Sequence, residues 1–496
     1  MTNLTMPSIS YWALSPILFM LLGGVLLMAV AALSRRALPP VVSTGLTLFA
    51  GTGALVFSLI EWHHVASSKA TTTVAGAIAI DGLSVVIAVT VSCSVLLATC
   101  FGHRYLERMH IAGAEYHVLA LTSASGAMIM AAANDLVVLF LGLEILSIAL
   151  YVLVALNRSS AKSEEAALKY FILGGFSSAI FVFGIAFTYG ATGSTNLQVI
   201  AQSLAASVAA KPGILLVGLA LLLVGFCFKV AAVPFHLWTP DVYEGAPTPV
   251  TGFMAAVAKT GGFAALIRVL LAGLPTARST WTPALYAIAI VTLFGGALLM
   301  VVQRDVKRML AYSSINHAGF IFLGILAATS AGVSADLFYL FTYSIAAIGT
   351  FGILTMLASE NDDDSTIDRY RGLVHNHPVL TGCLAVLVLA QAGVPLTTGF
   401  LAKFGVVEAA TGTGAIPLAI LAMVSAAIAA FAYLRFVLSL YAGTPEEAVS
   451  LDLDGATRAP LAGIAVGLTV AVTVFFGIFP ATLLDFVRVA ADHLLP

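Results

Sequence analysis

Apolar runs long enough to cross a bilayer recur along the whole chain, separated by short polar or glycine- and proline-bearing stretches. About 20 residues suffice for one helical crossing. The runs lie at 12–33, 41–62, 80–102, 117–133, 135–156, 166–190, 212–233, 246–272, 283–302, 306–327, 333–358, 378–411, 415–442 and 460–483. They predict an all-α polytopic membrane protein of fourteen spans, with spans seven and twelve broken. A closed barrel would instead show alternating segments of about ten residues. The first run is long enough to span and is followed by Arg35 and Arg36, so it reads as a span rather than a cleavable leader.

The basic residues choose sides. Loops after spans one, three, five, nine, eleven and thirteen hold 13 of the 22: Arg35, Arg36, Arg104, Arg108, Arg158, Lys162, Lys169, Arg304, Lys307, Arg308, Arg369, Arg371 and Arg458. The opposite side holds only Lys69, Lys211, Arg278 and Arg488. The positive-inside rule makes the first set cytoplasmic and puts both termini outside. This is the arrangement of a multi-pass membrane protein. The acidic stretches at 359–368 and 444–454 then fall in cytoplasmic loops and read as solvated loops.

Composition agrees with this reading. The chain of 496 residues is 60% hydrophobic and 9% charged, with a mean hydropathy of +1.03. Soluble proteins carry about 25% charged residues, so most of this surface faces the lipid bilayer. A net charge of −2 gives no sign of a nucleic-acid partner. Cys93, Cys100, Cys227 and Cys383 lie in apolar runs without a CxxC and read as small buried residues. No zinc, haem or iron–sulfur ligand set is evident, so neither metal nor cofactor is expected on this chain.

Five residues remain inside spans with a basic charge: Lys229, Lys259, Arg268, Lys403 and Arg435. A charge at mid-membrane costs about 2.5–3.5 kcal/mol on insertion scales, so those retained are used or paired. Arg268 and Arg435 lie near span ends and read as snorkelling. Lys229 closes GFCFK, five residues before Pro234, which removes a backbone donor and breaks the helix. Its ammonium is expected to serve the carbonyls freed by that break. Lys259 sits in AAVAKTGG, and Lys403 follows a second break marked by Pro395. Glu144, in LVVLFLGLEILSIALYVL, is nine or more residues from either end of span five. His317 is the one histidine deep in a span, and an imidazole titrating near neutrality suits a proton relay. Against each stands a plainer reading: a glutamate or histidine that bonds helices together, or a lysine that snorkels.

An echo runs through the chain. GFCFK at 225–229 and GFLAK at 399–403 share GFxxK, 174 residues apart, and Glu144 and His317 are separated by 173. Each unit holds five spans, four to eight and nine to thirteen, so the second copy is inverted. Inverted repeats with discontinuous helices are a transporter architecture. The expected domains are 1–116, a three-helix segment; 117–272, the first repeat; 283–442, the second; and 443–496, a loop with span fourteen. Withdrawal from water weakens an ammonium's hold on its proton, and an adjacent carboxylate strengthens it. A Glu144–Lys229 pair is therefore a candidate switch, with Lys259, His317 and Lys403 in succession as receivers. No nucleotide motif such as GxxxxGK[ST] appears, so the energy input lies elsewhere.

PFHLWTPDVYEGAPTPVTGF at 234–253 closely resembles the antiporter-like membrane subunits of respiratory complex I, and PDVYEGAPTPV their N branch. The resemblance covers essentially the whole chain. It implies a proton channel built from Glu144, Lys229, Lys259 and Lys403, with His317 as a relay. It implies a proton-translocating subunit of NADH–quinone oxidoreductase with no redox centre of its own. NADH, FMN, iron–sulfur clusters and the quinone are expected on other subunits, and subunits M, K and J as neighbours. The lysine at 403 is similar to the N and L branches, and no lateral helix is read beyond span fourteen, which argues against L. The rivals are an antiporter-like subunit of a Na+/H+ antiporter or membrane-bound hydrogenase, and a purely structural subunit whose charges form static pairs.

Overall fold

The computed structural model of the chain describes residues 9–34, 38–67, 70–109, 111, 113–206, 212–359, 362–444 and 460–494. Every predicted span has its helix. Those of the first six are Ser15–Leu33, Pro40–Ser67, Gly82–Arg108, Glu115–Ala132, Leu136–Val154 and Ala161–Thr192. Span seven is the pair Pro212–Lys229 and Trp238–Gly245. Span eight is Thr248–Ile267, prolonged by a π-helical turn at Arg268–Gly273. Arg278–Val301, Val306–Ala327 and Ser330–Leu357 follow as spans nine to eleven. Span twelve is the pair Pro378–Ala392 and Thr398–Gly412. Ile416–Tyr441 and Pro460–Ile478 are the last two. The starts are set locally: Asp81, Asp135 and Asp305 each accept backbone N–H bonds from the first turn of spans three, five and ten.

Span fourteen is shorter than expected. It stops at Ile478, and after Pro480 a separate helix, Ala481–Asp492, packs back against spans three and eleven. The loops hold smaller elements that hydropathy does not signal. Among them are a hairpin pairing Thr71–Thr73 with Ile78–Ile80, and a helix Leu197–Ala205.

Spans eight, ten and eleven form a fully buried centre, whereas spans one, six and fourteen expose most of their surface. The buried three are also among the least apolar of the long helices. That order follows from the solvent: hydrocarbon accepts only apolar surface, so polar side chains are driven inward. Two five-span units repeat one arrangement around this centre. Spans four and five form a packed hairpin, as do nine and ten; six packs on the first half of seven, as eleven packs on both halves of twelve.

The structure corrects the argument from GFxxK. Lys229 ends the helix before its break, while Lys403 lies within the helix after its break. The two motifs are not equivalent positions of the repeat. What they share is small residues at crowded crossings. A Cβ on Gly399 would lie 1.7 Å from the carbonyl oxygen of Ala390, so only glycine lets the two halves of span twelve pass this closely.

Two loop expectations also change. Lys307 is buried, donating to the Ala246 carbonyl at 2.9 Å and lying 3.7 Å from Asp362. Asp362, expected to be solvated, accepts from the Thr248 backbone N–H at 2.8 Å and from the Tyr105 hydroxyl at 2.7 Å. It thereby caps the start of span eight, a bond no local pattern announces. Arg35, Arg36, Lys69, Lys211, Arg458, residues 360–361 and most of the stretch 444–454 lie outside the described residues.

Candidate functional site

Each predicted residue is found within the bundle. Glu144 is half-buried between spans five and six and accepts a hydrogen bond from the Ser178 hydroxyl. One turn on, Ser147 accepts from the Lys229 ammonium at 2.8 Å. Among the described residues no ion pair joins Glu144 to Lys229 directly. The two are instead held by hydroxyls of different helices, Glu144 by Ser178 of span six and Lys229 by Ser147 of span five, around a cavity lined by Ser147, Tyr151, Ser177, Ser178 and Lys229. That cavity, about 10 Å³, has the room of a single water.

The expectation that Lys229 serves its own break is overturned. The indole N–H of Trp238 donates to the Phe228 carbonyl at 3.0 Å, and the Ala232 N–H to the Cys227 carbonyl at 2.8 Å. Donors just beyond the break reach the freed carbonyls, and the ammonium is left to turn toward span five. The second break has the arrangement expected of the first: Lys403 donates to the carbonyl of Ala392, at the end of the preceding half-helix, at 2.9 Å. Pro234 and Pro395 both lie in the gaps between half-helices.

Lys259 and Lys403 are joined through span ten. Lys259 donates to the Ser314 carbonyl and lies over the Tyr343 ring, 5.6 Å from its centroid. Ser314, His317 and Phe320 follow one another at helical spacing. Lys403 lies over Phe320, 5.1 Å from the ring centroid. His317 stands between the two lysines, within electrostatic range of both. Its ring nitrogens meet two hydroxyls, Nδ1 that of Tyr339 at 2.6 Å and Nε2 that of Tyr433 at 3.1 Å. A second small cavity opens there, lined by His317, Tyr339, Thr342, Tyr343, Gln391 and Thr398. The contact between the other two lysine-bearing segments is packing: Gly262, one turn after Lys259, sits against the Lys229 stem.

A family model for the transmembrane region of NADH:quinone oxidoreductase and Mrp antiporter proteins matches residues 133–429. NADH-quinone oxidoreductase subunit N of Rhodococcus opacus is 44% identical over 379 residues, 76% of this chain and 69% of that protein. A chain of respiratory complex I from Thermus thermophilus, solved with bound aureothin, is 32% identical with a TM-score of 0.79, over 95% of this chain and 98% of that one. The chain belongs to this family, in its subunit N branch. A chain of the Mrp complex from Dietzia sp. shares the fold, with a TM-score of 0.83 at 21% identity over 98% of each chain. Fold alone therefore does not separate oxidoreductase from antiporter, and it is the sequence identity that favours subunit N over its rivals.

Three features of this subunit N were not read from its sequence. Arg268, expected to snorkel, is buried and forms a bidentate pair with Asp81 at 2.7 and 2.8 Å. Span eight is central, so its C-terminal end reaches protein rather than water. Asp336 is fully buried, with neither carboxyl oxygen hydrogen-bonded. The hydroxyls that bridge the lysines come from serines and tyrosines, which pass in the sequence for ordinary helix residues. Arg435 donates to the carbonyls of Val301 and Gln303 at the end of span nine.

Proposed function

We propose that this subunit N moves protons along a line from Glu144 through Lys229, Lys259 and His317 to Lys403, driven by redox chemistry held on other subunits of the oxidoreductase. One observation carries the reading: the Ser314–His317–Phe320 face of span ten touches Lys259 at one end and Lys403 at the other, with an imidazole between them. Each ammonium on the line is held by a neutral oxygen, from Ser147, Ser314 or Ala392. Such a partner tolerates loss of the proton, whereas a carboxylate would hold the charge in place.

In this reading NADH, FMN, iron–sulfur clusters and the quinone belong to the other subunits, and this chain contributes no redox centre. The neighbours are subunit M and the small subunits K and J. The half-buried Glu144, flanked by exposed Leu141 and Ile148, supports a protein partner on that face, since lipid would leave a carboxylate unserved. The subunit lies in the bacterial plasma membrane with both termini outside. Residues 1–116 support two repeats at 117–272 and 283–442, and 443–496 close the fold.

The test is Glu144→Gln in the assembled oxidoreductase, in membrane vesicles. Proton transport coupled to NADH oxidation should fall while assembly persists. Unchanged transport at full assembly would favour a purely structural subunit. Transport that follows added Na+ rather than NADH would favour an antiporter.

A further inference from the structure

We propose that Asp336 is the proton-release group of this chain, forming with Tyr339 a branch that leaves the mid-membrane line at His317 and leads to the outer face. The inference rests on the proton line proposed above. Asp336 lies in the second turn of span eleven, counted from the end that the charge distribution places outside. Its exposure is 0%, and neither oxygen has a hydrogen-bond partner. Among the described residues no cation pairs with it. Its carboxyl group packs directly on span ten at Gly324, where even a Cβ would stand 2.2 Å from Oδ1. A larger residue at 324 would evict the acid, so the two helices have made room for it.

A carboxyl group so placed is costly as a bare anion, and nothing in the packing requires it: leucine or asparagine would fill the space. Tyr339 follows three residues later on the same face, within electrostatic range of Asp336. Its hydroxyl meets His317 Nδ1 at 2.6 Å. The order from the line outward is thus imidazole, phenol, carboxyl. Beyond Asp336, Ser330 at the start of span eleven donates to exposed Asp492 of the last helix, and exposed Arg278 donates to the Ala327 carbonyl. These polar groups mark where the branch meets outer water.

The step balances without a co-reactant. The Asp336 acid gives its proton to outer water and becomes a carboxylate. The Tyr339 hydroxyl, with an intervening water, passes its proton to that carboxylate. The same oxygen takes a replacement from His317 Nδ1–H. The ring is reprotonated from Lys403 or Lys259. The cost of the transient buried anion favours reprotonation from either side, so the branch takes its direction from the redox-driven supply of protons on the line and not from Asp336 itself.

The experiment uses the assembled oxidoreductase in vesicles, carrying Asp336→Asn, Asp336→Glu or Lys403→Met. With Asp336→Asn, NADH-driven proton transport should fall by about a hundredfold, the low end for a lost acid–base group. Asp336→Glu should restore most of it. Isotope-edited infrared difference spectra during turnover should show a carboxylic acid band in the native protein that is absent from Asp336→Asn. Full transport by assembled Asp336→Asn, with Lys403→Met inactive, overturns this inference and leaves the line standing. Full transport by both variants removes the line as well. Should Asp336→Asn fail to assemble, Asp336→Glu decides: a turnover-dependent acid band that Asp336→Glu leaves unshifted, or the lack of any such band, refutes release through Asp336.

Discussion

The Asp81–Arg268 pair offers a sharp test of how the buried centre is built. Side-chain exposure is 3% for Arg268 and 5% for Asp81, so water screens neither. The guanidinium makes two bonds to the carboxylate, and its Nε–H a third to the Ala131 carbonyl at 2.7 Å. Asp81 also caps span three by accepting from the Ser84 N–H at 2.9 Å. Asp81→Asn keeps a good cap but leaves a buried cation without its counter-charge. Removing one member of a buried pair costs about 3–5 kcal/mol, well above the roughly 1 kcal/mol of a lost cap. If that loss appears at the unfolding barrier, heat inactivation of the assembled complex should accelerate by about a hundredfold or more.

The assay is the half-life of NADH-driven activity at a fixed elevated temperature, with proton transport per active complex measured alongside. Transport per active complex should not change, because the pair lies at the C-terminal end of span eight, away from the lysine line. The double variant Asp81→Asn with Arg268→Met should be more durable than Asp81→Asn alone, since it leaves no orphaned charge. An acceleration below about fivefold, the range of exposed pairs at about 1 kcal/mol, would refute the claim that this end of span eight is sealed from water.

Two further substitutions probe the line and its scaffold. Lys259→Arg keeps the charge and the bond to the Ser314 carbonyl within reach but removes a group able to give up its proton; NADH-driven transport should fall by about a hundredfold with assembly intact, and near-native transport would refute a carrying role for Lys259. Gly399→Ala forces a Cβ to 1.7 Å from the Ala390 carbonyl; overpacking of this kind costs about 1–3 kcal/mol or more, so assembled complex should be scarce on native gels, and normal yields would show that the two halves of span twelve can separate freely.

Much of the fold was legible because the bilayer imposes few solutions. Apolar runs of spanning length, prolines at the breaks and an asymmetry of lysine and arginine each follow from the cost of polar groups in hydrocarbon. Glu144, Lys229, Lys259, His317 and Lys403 were legible for the same reason, being rare in runs that otherwise exclude them. Their partners were not. Arg268 and Asp81 are 187 residues apart, and no spacing rule joins them. Asp336 was hidden by a boundary: the span read from 333 puts it at an edge, whereas the helix from Ser330 puts it inside. The helical spacing of Asp336, Tyr339 and Tyr343 was the available signal. The GFxxK echo misled because glycine and phenylalanine recur wherever helices cross closely, so a shared motif need not mean a shared position.

The basic residues divide by chemistry in a way that bears on how the subunit works. Arg268 and Arg308 are bound to carboxylates, Arg268 to Asp81 and Arg308 to Asp241 and Glu244. Arginine does not release its proton, so such pairs are permanent and suit a scaffold. Lys229, Lys259 and Lys403 bond instead to one hydroxyl and two carbonyls. These acceptors favour the ammonium through a dipole alone, and the site survives when the proton leaves. A lysine tied to a carboxylate, such as Lys307 beside Asp362, lies at the membrane edge, off the line. A dipole partner alone does not mark a mobile charge, since Arg435 is bonded only to the Val301 and Gln303 carbonyls; it is the pairing of a group able to lose its proton with a neutral acceptor that sets the three lysines of the proposed line apart. On this ground the line does not depend on any single bond length. It depends on no carboxylate pairing directly with these lysines among the described residues, and Glu144 meets that condition because Lys229 bonds to Ser147 while Glu144 accepts from Ser178.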